Sequence, residues 1–356
     1  MPPPRRRSRA GWLIAAGILS LLLIAAAGYA AWWYMATGKV RSAALKWVAG
    51  QQAQGWHITH GSTSRAGFPL ELGVRFADPA AEPMGGGASW RAEEALLSTP
   101  VIGPRSLRLA IAGEQRFRFG AGAGALDATG RAEMFAFDLV PAASWLPNGT
   151  LRVSRMSFDT EGNPAAGIDS LELVSTGDPA AASGPEASGY AARLTAQGIR
   201  LPPSLATPMG SEISRLLLEA KIQGALQPRP WPAALARWRD QGGVIEVTRV
   251  VVEGGSVVID GDGTLALDGA GQPVGAMSAR IQGYEAALDR LAAEKAIPPH
   301  IAATARILLR GLARGGADNG TTLTAPLTLQ DRALTIGPVE ILRLPEVRWL
   351  DGPTAR

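Results

Sequence analysis

Residues 68–76 read Phe68-Pro69-Leu70-Glu71-Leu72-Gly73-Val74-Arg75-Phe76. Leu70, Leu72, Val74 and Phe76 alternate with Glu71, Gly73 and Arg75, a period of two. Such alternation gives a strand one apolar and one wet face. It recurs downstream: Leu107, Leu109 and Ile111 alternate with Ser106, Arg108 and Ala110, and Phe117 and Phe119 with Arg116 and Arg118. Further alternating stretches fall at 133–140, 150–159, 168–176, 190–198 and 214–224. Later ones fall at 243–253, 255–260, 263–268, 274–283, 321–330 and 332–336. One apolar face per strand is the mark of antiparallel sheet, because strands of a parallel sheet are apolar on both faces. Parallel pairing also needs helical crossovers, and no helical pattern interrupts the strands before residue 230.

Three helices break the later part. Trp231, Leu235 and Trp238 place one at 231–240, with Pro232 in its first turn. Tyr284, Leu288, Leu291 and Ala292 place another at 284–296, and Ile301, Ala305, Leu308, Leu309 and Leu312 a third at 300–313. The Gly- and Pro-rich stretches 78–88 and 178–189 read as loops. The expected fold is mainly β: an elongated, curved antiparallel sheet with a first half at 56–228 and a second at 229–356. An internal echo joins them. Ala125-Leu126-Asp127-Ala128-Thr129-Gly130 resembles Ala266-Leu267-Asp268-Gly269-Ala270-Gly271, and Asp with Gly suits a hairpin turn at both places.

Upstream of the alternation the period is 3.6. Val40, Ala43, Ala44, Trp47 and Val48 make an apolar stripe, so 36–55 reads as an amphipathic helix leading into the sheet, or lying on a membrane surface. Before it, Gly11 to Met35 is a run of 25 residues without a charge. As a helix this run reaches roughly 37 Å, enough to cross a hydrocarbon core of about 30 Å. Trp12 at its start and Trp32, Trp33 and Tyr34 at its end stand where aromatic rings settle at membrane interfaces. A cleaved signal peptide is the alternative, favoured by the small residues Ala25 to Ala27, but the apolar run is longer than an ordinary signal core. Arg5, Arg6, Arg7 and Arg9 in the basic tail 1–10 predict a cytoplasmic N-terminus, with the remainder across the membrane.

Those four arginines account for the whole net charge of +4, since the other 31 Lys and Arg match 31 Asp and Glu. A nucleic-acid surface needs basic residues spread over a folded face, so nucleic acid is not an expected partner. With no Cys, disulfides, cysteine-ligated metals and thiol catalysis are excluded. The 43 Gly and 26 Pro in 356 residues exceed the usual shares of roughly 7% and 5%, as a turn-rich fold requires.

Sites of chemistry are scarce. Gly120, Gly122 and Gly124 follow a strand, but Ala125 stands where a dinucleotide fingerprint needs Gly. Asp260-Gly261-Asp262-Gly263 fails the calcium-loop register and reads as a tight turn. His57 and His60 lack the Glu of a zinc-helix motif, and His300 reads as a helix-start residue. Glu93 and Glu94 are adjacent, so on a strand they point to opposite faces. No catalytic, cofactor or metal residue is expected, and the chain reads as a non-enzyme.

Several motifs in order carry a resemblance. They are the Arg-rich start, the single apolar helix, Gly67-Phe68-Pro69 opening the first alternating strand, and Gly-Thr-Leu-Ala-Leu-Asp at 263–268. The ending adds Leu327-Thr328-Leu329, Leu334-Thr335-Ile336-Gly337-Pro338 and Leu344-Pro345. Together they resemble the bacterial domain-of-unknown-function family 2125 over nearly the whole chain, and the architecture is more distantly similar to AsmA-like envelope proteins. The resemblance implies an inner-membrane protein with a periplasmic β-domain in envelope maintenance. Two partners besides the bilayer are consistent with this, phospholipid in an apolar groove or an envelope protein docked without any ligand.

Overall fold

The structure is a computed structural model that describes residues 9–83, 87–103, 106–119, 126–140, 148–160, 163–177, 188–201, 209–224, 231–293, 297–313, 322–336, 339–344 and 346–347. It opens with one continuous helix, α1 (Arg9–Gln52), about 66 Å long at 1.5 Å per residue. The apolar run and the amphipathic stretch therefore form a single rod. From Ala16 this rod is apolar and long enough to cross a membrane, and its apolar part is almost wholly exposed.

Among the described residues, eighteen strands in one antiparallel sheet come next. The first four are β1 (Trp56–Thr59), β2 (Thr63–Ala66), β3 (Glu71–Ala77) and β4 (Ala80–Pro83). β1 pairs with β4 and β2 with β3, and β3 and β4 then lie along β5 (Ala88–Pro100). β6 (Leu107–Phe119) pairs with β5, and with both β7 (Leu126–Arg131) and β8 (Met134–Val140). Those two pair in turn with β9 (Asn148–Thr160).

From there every strand pairs with its neighbour in sequence: β10 (Asn163–Gly177), β11 (Ser188–Arg200), β12 (Glu212–Gln223), β13 (Val244–Gly254), β14 (Val257–Leu267), β15 (Pro273–Gln282), β16 (Thr322–Gln330), β17 (Ala333–Ile336) and β18 (Val339–Arg343). β12 and β13 pair from Arg215↔Glu253 to Gln223↔Val244, on either side of the join expected at 228/229, which lies outside the described residues.

The described residues include three short helices beside the sheet: α2 (Trp231–Asp240), α3 (Tyr284–Ala293) and α4 (Pro299–Ala313). α2 closes the turn between β12 and β13, where the Trp238 indole donates to the Gln223 carbonyl at 2.8 Å. α3 and α4 lie on the sheet face over β14 to β16. There Tyr284, Leu288, Ala305 and Leu309 meet Val257, Ile281 and Leu323 in one buried core. A second core lies at the other end, where Ala44 of α1 packs with Val74, Phe76, Ala92, Ala95 and Ile111.

Two turn expectations are corrected. Asp260-Gly-Asp262-Gly lies inside β14 rather than at a turn, with Asp260 opposite Arg280 and Gly263 opposite Met277. The neighbouring backbone comes so near that a Cβ built at Gly261 would stand 2.6 Å from the Ser278 carbonyl oxygen, so glycine serves close strand approach here. The echo at 125–130 also lies in a strand: Asp127 and Gly130 are in β7, opposite Arg118 and Gln115. Its counterpart does turn, with Asp268 Oδ1 accepting from the Ala270 and Gln272 amides at 2.8 and 2.7 Å. The two copies thus have different structures, which is no sign of duplication. Ala125 and residues 120–124 lie outside the described residues.

The α1 stripe also differs in detail. Thr37, Val40, Ala44 and Leu45 face the sheet, whereas Trp47, at 61% exposure, faces away. A seven-residue spacing from Val40 would bring Trp47 inward. The contacts instead follow Trp33, Thr37, Val40 and Ala44, spaced at 3.6 residues along a straight helix.

Candidate functional site

The strand registers align apolar residues into rows that run across the sheet at right angles to the strands. In one row each residue lies directly opposite the next: Val74, Leu97, Leu109, Phe137, Leu151, Leu173, Leu194, Leu218, Val250, Gly261, Ala279 and Ala325. Directly opposite residues share a face, so these twelve lie on one side of the sheet. At 4.7–4.9 Å between strands the row is roughly 53 Å long. Phe135, Val153, Leu171, Ala196, Leu216, Val252, Ile259, Ile281 and Leu323 form a parallel row two residues away. Only alternating strands in exact antiparallel order produce such a surface.

Its cover is uneven. At one end α1 lies over β3, and Val74 is 0% exposed. At the other α3 and α4 lie over β14 and β16, and Ala279 and Ala325 are 1% and 2% exposed. Between those roofs Leu151, Leu173, Leu194, Leu218 and Val250 are half-buried, while Val153 and Ala196 in the neighbouring row are 6% and 2% exposed. The middle of the row is an apolar strip about five strands wide.

The reverse face carries cross-strand ion pairs, together with Leu217 and Val251 at 8% and 5% exposure. Arg108 and Asp138 stand opposite each other and pair at 2.7 Å. Arg152 reaches Asp138 at 3.0 Å and Glu172 at 2.9 Å, and Arg193 meets Glu219 at 2.7 Å. Arg249 pairs with Asp260 at 3.1 Å. The hydrogen bond and charge of Arg108 hold the Asp138 carboxyl below the usual carboxylate range, against the opposing effect of partial burial. Arg118 does the same for Asp127, and Arg310 for Glu285. These shifts come from structural cross-strand and interhelical pairs, and the pairs leave the apolar face without a charge in either row.

The aromatic residues at the end of the apolar run divide. Trp12, Trp32 and Tyr34 are exposed, while Trp33 is 7% exposed and turned into the β-domain. Its indole donates to the Glu71 carbonyl at 2.8 Å, and its ring meets Phe68 edge-on at 5.3 Å. One turn earlier Tyr29 donates its hydroxyl to the Pro69 carbonyl. The Arg65 guanidinium lies 3.6 Å above the Tyr34 ring. Sequence reading missed this junction, although Gly67-Phe68-Pro69 stood out and is the segment that α1 grips. Arg5, Arg6 and Arg7 lie outside the described residues, and so does the side chain of Arg9 at the start of α1.

The three histidines stay apart from any centre. His57 is exposed, the His60 ring packs on Phe76 at 5.3 Å, and His300 lies in the first turn of α4. Among the described residues no three His, Asp or Glu side chains gather as a metal site would require. A separate polar hollow of about 350 Å³ near the β13–β14 turn is lined by Met209, Ser211, Glu212, Ser214, Gly255 and Arg290. Arg290 spans it, donating to the Met209 carbonyl at 2.7 Å.

Comparison with curated proteins and with solved structures gives no match. A family model matches residues 32–345, beginning where α1 meets the β-domain, and the chain belongs to that family, described as uncharacterized protein conserved in bacteria (DUF2125).

Proposed function

We propose that the protein is a non-enzymatic, membrane-tethered β-domain that shelters lipid acyl chains on the half-buried middle of its apolar face. The observation that carries this is the row from Val74 to Ala325, roofed by helices at both ends and half-buried between them. Soluble monomers rarely leave a continuous apolar strip of this kind to water. A hydrocarbon chain laid across β9 to β13 covers roughly 19 Å. Ten shielded methylenes contribute about 8 kcal/mol before the cost of ordering the chain. The strand-to-strand twist, about 20–25° per pair, winds a sheet this wide into a trough around such an occupant.

Anchoring fits the same picture. α1 supplies a span near the N-terminus, and the basic tail ahead of it favours a cytoplasmic start with the β-domain in the periplasm. The architectural likeness to AsmA-like envelope proteins, whose large members carry lipid along a groove, supports a role in envelope maintenance. The test is a photo-crosslinking residue placed in the full chain in cells, once at Leu194 on the apolar face and once at Arg193 on the charged face. The reading predicts a lipid adduct at 194 and none at 193. Equal labelling, or none at either, contradicts it.

A further inference from the structure

We propose that the β-domain rests directly on the bilayer through a second apolar contact made by two hairpin turns, those of Phe68 and Leu70 and of Ile102. Phe68, Leu70 and Ile102 are 56%, 75% and 89% exposed and lie together on two adjoining turns, a patch of large apolar side chains. The two turns are neighbours, since the Val101 amide donates to the Leu70 carbonyl at 3.0 Å.

Their depth is set by α1. Phe68 lies 6.1 Å from the Tyr29 ring and 5.3 Å from Trp33, and Tyr29 also holds Pro69. Counted from Trp12, Tyr29 is 17 residues along the helix, roughly 26 Å, which is close to the thickness of a hydrocarbon core. A helix that crosses the membrane with its apolar run therefore carries Phe68, Leu70 and Ile102 to the far interface. This step rests on the proposed anchoring of α1.

The groups beyond that level have the order of a lipid surface. Farther along α1 and on the adjoining β2, exposed Lys39, Arg41 and Arg65 lie past the apolar turns. Apolar side chains below cations match acyl chains below phosphates, and the cations point to anionic lipid in the leaflet on the β-domain side. Contact at both α1 and the turns leaves the β-domain little freedom to tilt, and it brings the strand ends at this edge of the sheet down to the leaflet.

The chain has no Cys, so single labels are clean. Full-length Leu22→Cys, Leu70→Cys, Ile102→Cys and Ser256→Cys variants, each carrying an environment-sensitive fluorophore, are reconstituted in phosphatidylglycerol-containing vesicles. Lipids with quenchers at shallow or deep acyl positions are then added. The proposal expects deep quenching at 22, shallow quenching with a blue-shifted emission at 70 and 102, and none at 256, which lies at the opposite strand ends. Quenching at 22 alone overturns the docking and leaves the anchor intact. Absence of quenching at 22 overturns the anchor, and the docking with it.

Discussion

The C-terminal end of the sheet and its middle carry the same alternating pattern and meet different fates. Over β14–β16 the apolar face is covered by α3 and α4, and Leu323 is 0% exposed in a ten-residue buried core. Over β9–β13 the same face, continued residue opposite residue, leaves Leu151, Leu173 and Leu194 half-buried. The difference lies in the helices packed on the face. Between β15 and β16 the chain places two amphipathic helices, and they close the face at that end. A strand's period decides which face is apolar; an inserted helix decides whether that face is closed. The lesser cover over the middle does not come from a weaker alternating pattern.

The comparison breaks if the two regions respond alike to truncation. Leu323→Ala should cost about 3–5 kcal/mol, because the side chain is fully enclosed and the cavity cannot collapse. Leu194→Ala should cost only about 1–2 kcal/mol, since its side chain is already partly in contact with solvent. Pulse proteolysis of the full chain in urea measures both. Equal losses would mean that Leu194 is packed within the protein as tightly as Leu323.

A smaller effect sharpens the contrast between faces. Asp138→Asn should lower stability by no more than about 1 kcal/mol at pH 7, as befits a partly exposed cross-strand pair. The Asp138 carboxyl titrates below its ordinary value of 3.8, so its contribution is complete above that value and is lost as pH falls through the lowered one. Wild type and variant should therefore converge in acid; a gap that persists at the lowest pH would contradict the ion-pair origin. Smallest of all, Trp47→Ala should change stability by less than about 0.5 kcal/mol, because its ring faces outward from α1. A loss comparable to Leu323→Ala would place Trp47 inside a contact and undo the α1 register of Trp33, Thr37, Val40 and Ala44.

Much of the fold was legible in the sequence. Alternation marked most strands, and the 3.6 period placed α2, α3 and α4 within a few residues of their positions. Other features depend on tertiary pairing, which a local pattern does not encode. Asp260-Gly-Asp262-Gly has turn chemistry, yet ladders with β13 and β15 on both sides hold it extended. The bulge at Ala92/Glu94, where Gly113 of β6 takes a φ of 79°, shifts a register that alternation alone leaves undefined. The alternation alone leaves open whether the apolar faces form a groove or close on helices or a second sheet, and it names no residues for a groove. The twelve-residue row appears only when every register is known. Trp33 reads as a membrane-interface ring by position, and only the folded contacts with Glu71 and Phe68 show it turned inward.

The central claim is that the middle of the apolar face holds lipid. Its most direct test is lipid mass spectrometry on the β-domain begun at Tyr29 and exported behind a cleavable signal. This start keeps Tyr29 and the packed part of α1, and it permits gel filtration without detergent. The account predicts a stoichiometric phospholipid that co-elutes with the domain. A stable, monodisperse and lipid-free domain would contradict it.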